Sequence, residues 1–216
     1  MSKLKYLLII EFAVIALLVG KSLFRSEEYH GYVPDPVQVD LAVPGTITVA
    51  GGDGDVGVSL MAEYTIEGVV KSKEAYSDYT STISKYDVAM AWGELNQEEA
   101  DEEIHYSQSG RWYYYRYSED CPVTMDYIAS HSANVHLIHK DKEILKKIKR
   151  IRKEDYVRFE GYLVKVNYEN GPWESSLSRT DTGDGACEVL YVTSVEIIDE
   201  KDYPLLQSKT AGRNME

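Results

Sequence analysis

The residues of this chain with the most chemical potential are Cys187 and His131, because a thiol beside an imidazole becomes a thiolate able to attack a carbonyl carbon. In such a site Cys187 attacks and His131 takes up the proton. The cysteine lies in the most specified stretch of the chain, Trp173 to Tyr191, WESSLSRTDTGDGACEVLY. Ser175, Ser176, Ser178, Thr180 and Thr182 add hydroxyls there. No G-x-S-x-G or S-x-x-K context activates them, so they read as hydrogen-bonders of turns and strand edges. Asp181, Asp184 and Glu188 lack the spacing of a calcium loop, and the glycine run Gly51 to Gly57 occurs once and out of step with a calcium-binding repeat. His131, His136 and His139 fall on one expected strand, where residue 136 points away from the other two, so zinc ligation is not expected. Neither a metal nor a cofactor is expected.

A second constellation is aromatic. The chain has 18 tyrosines and 3 phenylalanines, which suits half-buried strands and surfaces with a polar tip. In RWYYYRYS, Arg111 to Ser118, a period of two places Trp112, Tyr114 and Arg116 on one side and Tyr113, Tyr115 and Tyr117 on the other. One row must face a core, and the other offers a stacking strip. Trp112, Tyr114 and Arg116, with His131, Asn134, Arg179 and Asp181, form the expected ligand-binding set.

These residues need elements to position them. DVAMAWGEL at 87–95, the strand at 111–118 and IASHSANVHLIH at 128–139 alternate as strands, and AEYTIEGVV at 62–70 allows a further one. Asn96 is a candidate cap for a short acidic helix over 97–103, and the polar segment 72–85 suits a loop or irregular helix. DKEILKKIKRIRKED, 141–155, carries Ile144, Leu145, Ile148 and Ile151 on one helical stripe. Its other face is basic. Lys140 to Lys153 holds eight Lys or Arg against two acids, a net of +6, which leaves −19 on the rest of a chain whose total is −13. That face suits anionic lipid, an acidic partner or plain solvation. YVRFEGYLVKVNY at 156–168 and the run 187–198 supply the last strands. Three strands, a helix and two strands predict a mainly β fold with one amphipathic helix, an OB-like small barrel. Cys187 then reads as a small buried residue, or as the partner of Cys121 in a disulfide if the domain faces an oxidising compartment.

A chain of 216 residues, 44% hydrophobic and 27% charged, buries one core with appendages. A net charge of −13 argues against nucleic acid as a partner. Tyr6 to Phe24 is apolar apart from Glu11 and Lys21, and no small-residue cleavage pattern follows it. The expected organisation is a transmembrane anchor at 1–25, an extended Pro- and Gly-containing spacer at 26–61, a soluble domain at 62–200 and a flexible tail at 201–216. Lys3 and Lys5 are nearly balanced by Lys21 and Arg25, so the expected orientation, with the amino terminus in the cytoplasm and the domain outside, follows the usual outcome for a short basic leader.

AWGEL at 91–95, SQSGRWYYYRY at 107–117, HSANVHLI at 131–138, EDYVRFEGYLVKV at 154–166 and WESSLSRTDTGDGACE at 173–188 resemble an uncharacterised family of bacterial membrane-anchored proteins. The resemblance covers about Tyr64 to Val195 and implies a bacterial envelope protein, with no activity to carry over. The order of His131 and Cys187 is also similar to sortase-type transpeptidases. Those need an arginine shortly after the cysteine, whereas here Arg179 precedes it and none follows until Arg213. The leading expectation is therefore a membrane-tethered, non-catalytic binding or assembly module with a protein or glycan partner. The alternative is a cysteine-dependent transpeptidase or hydrolase.

Overall fold

A computed structural model describes residues 32–52, 54–168, 171–178, 181 and 186–198. The expected anchor at 1–25, the expected tail at 201–216 and Arg179 lie outside the described residues. Among the described residues no helix is long and apolar enough to cross a membrane.

The protein is mainly β. Its strands are β1 (Val37–Ala50), β2 (Asp55–Ala75), β3 (Tyr86–Ala91), β4 (Ile104–Ser109), β5 (Trp112–Tyr117), β6 (Ser132–His139), β7 (Tyr156–Tyr168), β8 (Gly171–Glu174) and β9 (Glu188–Ile197). The short helices α1 (Glu98–Asp101) and α2 (Met125–Ser130) precede α3 (Lys142–Arg150). Pairing runs from β2 through β3, β6, β9 and β7 and returns to β2, with β1 and β8 attached to this circuit. All its contacts are antiparallel except β6 with β9, which is parallel. β4 and β5 form a separate two-stranded ribbon.

β2 organises the circuit. Over 57–69 it pairs with β7, over 55–65 with β1 and over 69–75 with β3. A strand shared in this way must bend, and register shifts fall at Leu60/Ala62 and Val70/Ser72. Its inward row supplies Tyr64 and Ile66, which meet Val88, Met90, Val135, Leu137, Phe159, Leu163, Leu190 and Val192 in the main core. Each large aliphatic or aromatic side chain buried there contributes roughly 1.5–3 kcal/mol.

α3 closes this core. Nine residues are too few for an independent helix. Ile144, Ile148 and the following Ile151 are buried, Leu145 is half-buried, and Asp141 caps the start by accepting from the Glu143 and Ile144 amides, both at 2.9 Å. At the other end Lys73 donates to the carbonyls of Ile148 and Ile151 at 2.6 and 3.0 Å, so the helix stops earlier than the expected 155.

Other expectations change as well. The strand at 111–118 does not join the main sheet: it offers an aromatic row and no aliphatic one, and it pairs only with β4. The 62–70 strand is no optional addition but part of β2. Residues 37–50 and 55–61 of the expected spacer are hydrogen-bonded strands, and the alternation of Val37, Val39, Leu41 and Val43 and of Ile47 and Val49 allows edge strands there. Asn96 does not cap a helix. It is buried, its Nδ2 donates to the Ala91 carbonyl at 3.0 Å, and α1 begins after Gln97. α2, whose N-cap Thr124 accepts from the Tyr127 amide, stands immediately before β6.

Gly161 marks the tightest crossing. It sits at the register shift between β7 and β9, and a Cβ there would lie 1.9 Å from the Tyr191 carbonyl oxygen. Backbone cannot yield as a flexible side chain does, so Gly161→Ala should cost about 3 kcal/mol or more. A melting point lowered by about 10 °C is expected by thermal denaturation, and an unchanged one would mean the crossing is looser than it looks.

Candidate functional site

Alternation along β3 and β6 sends Val88, Met90, Ala133, Val135 and Leu137 into the core, and therefore turns Asp87, Ala89, Ala91, Ser132, Asn134 and His136 outward. All six are nonetheless buried. The β4–β5 ribbon covers them. Gln108 donates to Asn134 Oδ1 at 2.6 Å, Asn134 Nδ2 donates to the Arg111 carbonyl at 2.8 Å, and the Tyr113 hydroxyl donates to the Ser132 carbonyl at 3.1 Å.

The ribbon's tip supplies a charge. Gly110 and Arg111 have φ of 59° and 73°, which is the two-residue turn whose twist matches that of paired strands. This aims the Arg111 guanidinium back at the sheet. It pairs with both oxygens of Asp78 at 2.7 and 2.8 Å, with Asp87 Oδ1 at 2.7 Å and with the Ser84 carbonyl at 2.8 Å. The Tyr76 ring lies 4.3 Å beneath the guanidinium. His136 Nδ1 lies 2.8 Å from Asp87 Oδ2, outside hydrogen-bonding alignment. Burial works against the charge on Arg111, but the hydrogen bonds and charges of Asp78 and Asp87 outweigh it and hold its pKa above the usual value. Asp78 is correspondingly held at about 2, chiefly by its hydrogen bond to Arg111.

Beside this lock a cavity of about 270 Å³ opens between the ribbon, the end of α2, the start of β6 and the segment before β9. Trp92, Trp112, Tyr113, Tyr114 and Tyr115 give it aromatic walls, while Ser178, Asp181, Cys187 and Glu188 give it a polar side. Trp92 is buried, whereas Trp112 and Tyr114 are 41% and 52% exposed. Burial first of all raises the Tyr113 hydroxyl to about 12, so it remains a neutral donor to Ser132 and no acid or base near neutrality. The Ser176 hydroxyl donates to Asp181 Oδ2 at 2.7 Å and so orients that carboxylate.

The structure brings Trp112, Tyr114, Asp181 and Cys187 together at this cavity and leaves Asn134, Arg116 and His131 off its lining. Asn134 spends its amide on the ribbon. Arg116 is exposed on the outer row of β5, opposite His105. His131 stacks on Tyr127, with ring centroids 3.7 Å apart and planes 9° from parallel. Its Nδ1 lies 3.0 Å from both the Tyr127 carbonyl and the Ser130 hydroxyl, and its Nε2 lies 3.7 Å from Asp35. His131 is not among the residues lining the cavity. Cys121 packs in the separate cluster of Leu95, Ala100, Ile104 and Ile128, and no bond links it to Cys187. Among the described residues no group of three or more His, Cys, Asp or Glu could hold a metal.

Sequence reasoning missed Trp92 and the inward Tyr113 and Tyr115 as cavity walls, and the whole Arg111 lock. One signal was present: Ser109-Gly110-Arg111-Trp112 between two alternating runs is a hairpin turn. No protein-family model, curated protein or solved structure matches the chain.

The Asp78–Arg111 pair carries a defined pH dependence. Because the folded pKa of Asp78, about 2, lies below its ordinary value of 3.8, its contribution is fully present above the unfolded value and is lost as pH falls through about 2. Thermal unfolding of the protein and of Asp78→Asn should therefore differ most above about pH 4 and converge toward pH 2. A gap that stays constant across that window would deny the pair its electrostatic role.

Proposed function

We propose that the protein is a membrane-tethered binding module of the bacterial envelope, without catalytic activity, and that the circuit of β2, β3, β6, β9 and β7 is an OB-like barrel. In favour of that fold stand the parallel β6–β9 contact and a helix, α3, placed between the third and fourth strands of the circuit. The binding role rests on one observation, the aromatic cavity under the ribbon. Its volume is that of a single sugar ring or one large side chain, and planar aromatic walls beside serines and a carboxylate suit either. The ligand is thus one unit of a glycan, or an anchoring side chain of a partner protein.

The cysteine-dependent alternative has less support. Both ring nitrogens of His131 face Tyr127, Ser130 and Asp35, and no observation turns them toward Cys187. Cys187→Ala should leave ligand binding within about twofold of the original, since a thiol at the cavity edge supplies little besides shape.

Two of the three tryptophans, Trp92 and Trp112, line the cavity, so intrinsic fluorescence reports on it directly. Titration with soluble N-acetylglucosamine oligomers tests the glycan arm. A photo-crosslinking residue at position 114 in native membranes tests the protein arm. Either saturable quenching or one dominant adduct is expected, with Trp112→Ala weakening binding by about tenfold. If neither ligand class registers, or if Trp112→Ala changes nothing, the cavity is not a binding site.

A further inference from the structure

We infer that the basic face of α3 docks on an anionic lipid surface. Lys140, Lys142, Lys146, Lys147, Lys149, Arg150, Arg152 and Lys153 are all exposed. Only Lys153 meets a described carboxylate at ion-pair distance, Glu154 at 3.3 Å. Lys147 donates instead to the Val195 carbonyl at 3.2 Å. The two acids of the segment do not offset the others. Asp141 is turned onto the helix amides and Glu143 lies in the first turn, so both sit at the amino-terminal end. A patch of +6 on a chain of −13 thus meets, among the described residues, a single carboxylate, that of Glu154.

The patch also has an apolar edge. Between α3 and β9 a shallow hollow is lined by Lys147, Arg150, Val195, Glu196 and Ile197. Its one carboxylate, Glu196, lies 3.5 Å from Arg158, and Ile197 is exposed. Cations around a small aliphatic patch match phosphate head groups above acyl chains.

The choice of lipid over a soluble acidic partner rests on the tether proposed above, together with its length. Val33 exchanges backbone hydrogen bonds with Gly93, which ties the chain to the domain at that point. From the end of the expected anchor, the seven residues Ser26 to Tyr32 span at most about 25 Å. Gly93 stands two residues past the Ala91–Val69 pair, and the segment after α3 is bonded to Val70 through Glu154. At roughly 3.3 Å per residue, the entry point and the Glu154 turn that follows α3 are separated along the sheet by on the order of 10 Å. A bilayer held this close meets the patch at high effective concentration, so a weak attraction per residue is enough. A free polyanion lacks that help and must also approach the −19 carried by the rest of the chain.

The full chain, reconstituted in vesicles of phosphatidylcholine alone or with about a third phosphatidylglycerol, can be footprinted by lysine acylation and mass spectrometry. Lys142, Lys146 and Lys149 should react about threefold more slowly in the anionic vesicles, with the difference lost near 0.5 M salt. Lys165, which pairs with Glu174 at the opposite end of β7, serves as the internal standard. Equal reactivity in the two vesicle types, with the chain retained by both, would overturn the docking and leave the tether standing. Retention by the anionic vesicles alone, reversed by salt, would support the docking and remove the tether. Retention by neither would remove both.

Discussion

The guanidinium of Arg111 is the contact on which the ribbon, and with it the cavity, depends. β4 and β5 carry polar or aromatic residues on both faces, and such a ribbon has little intrinsic preference for one register or one docking position. Arg111 supplies the missing specification. Its fork of donors reaches a bidentate Asp78, a fully buried Asp87 and a backbone carbonyl, a set that lysine, with a point charge on a flexible stem, would not satisfy. The arrangement carries costs: a non-glycine residue at positive φ and two buried or half-buried charges removed from water. What it contributes is position more than net stability. Once Asp87 is buried on β3, only a cation delivered from above completes the face.

The cavity follows from that lock. The tip is fixed at Asp87 and the ribbon's flank at Asn134 and Ser132, so the remainder of β5 is held over the end of α2 with Trp92 below it. The segment before β9 completes the wall through Asp181, Cys187 and Glu188. Three chain segments far apart in sequence therefore meet at one concave surface. A concave aromatic site spanning several elements suits recognition better than it suits catalysis when its histidine is stacked away on Tyr127.

Legibility in the sequence tracked the range of the interaction. The isoleucine stripe of α3, the alternation of β6 and β7 and the last strand follow from local periodicity, and they stand where the pattern places them, within the boundary shifts at their ends. β5 is a strand as its alternation says, yet alternation cannot name a partner, and the partner is β4 alone. The long β2 was readable only over its middle. Gly68 interrupts the pattern where the neighbouring strand passes close, since a Cβ there would lie 2.9 Å from the Ala91 carbonyl oxygen. At the site, Trp112, Tyr114, Asp181 and Cys187 were identifiable by type. The Arg111–Asp87 pair was not: its members are 24 residues apart, and only the tertiary fold brings them together.

β2 also decides how the charge is presented. Lys71, buried at its carboxyl-terminal half, pairs with Asp101 of α1 at 2.6 Å and with Glu154 after α3 at 3.1 Å, while Lys73 binds the last carbonyls of α3. Burial pulls the Lys73 ammonium below its usual pKa, with Asp155 opposing the shift. Cations that face inward are therefore used to hold the helix, and the acids nearest its end are already engaged by them. Asp101 is committed to Lys71 and Glu154 is shared between Lys71 and Lys153, so neither offsets the remaining outward lysines, while Lys73 ties the end of α3 to β2. The helix can neither fold its charge back onto the acidic body nor turn its basic face away. Among the described residues, the contacts that stabilise α3 thus leave most of its outer lysines and arginines without a carboxylate at ion-pair distance.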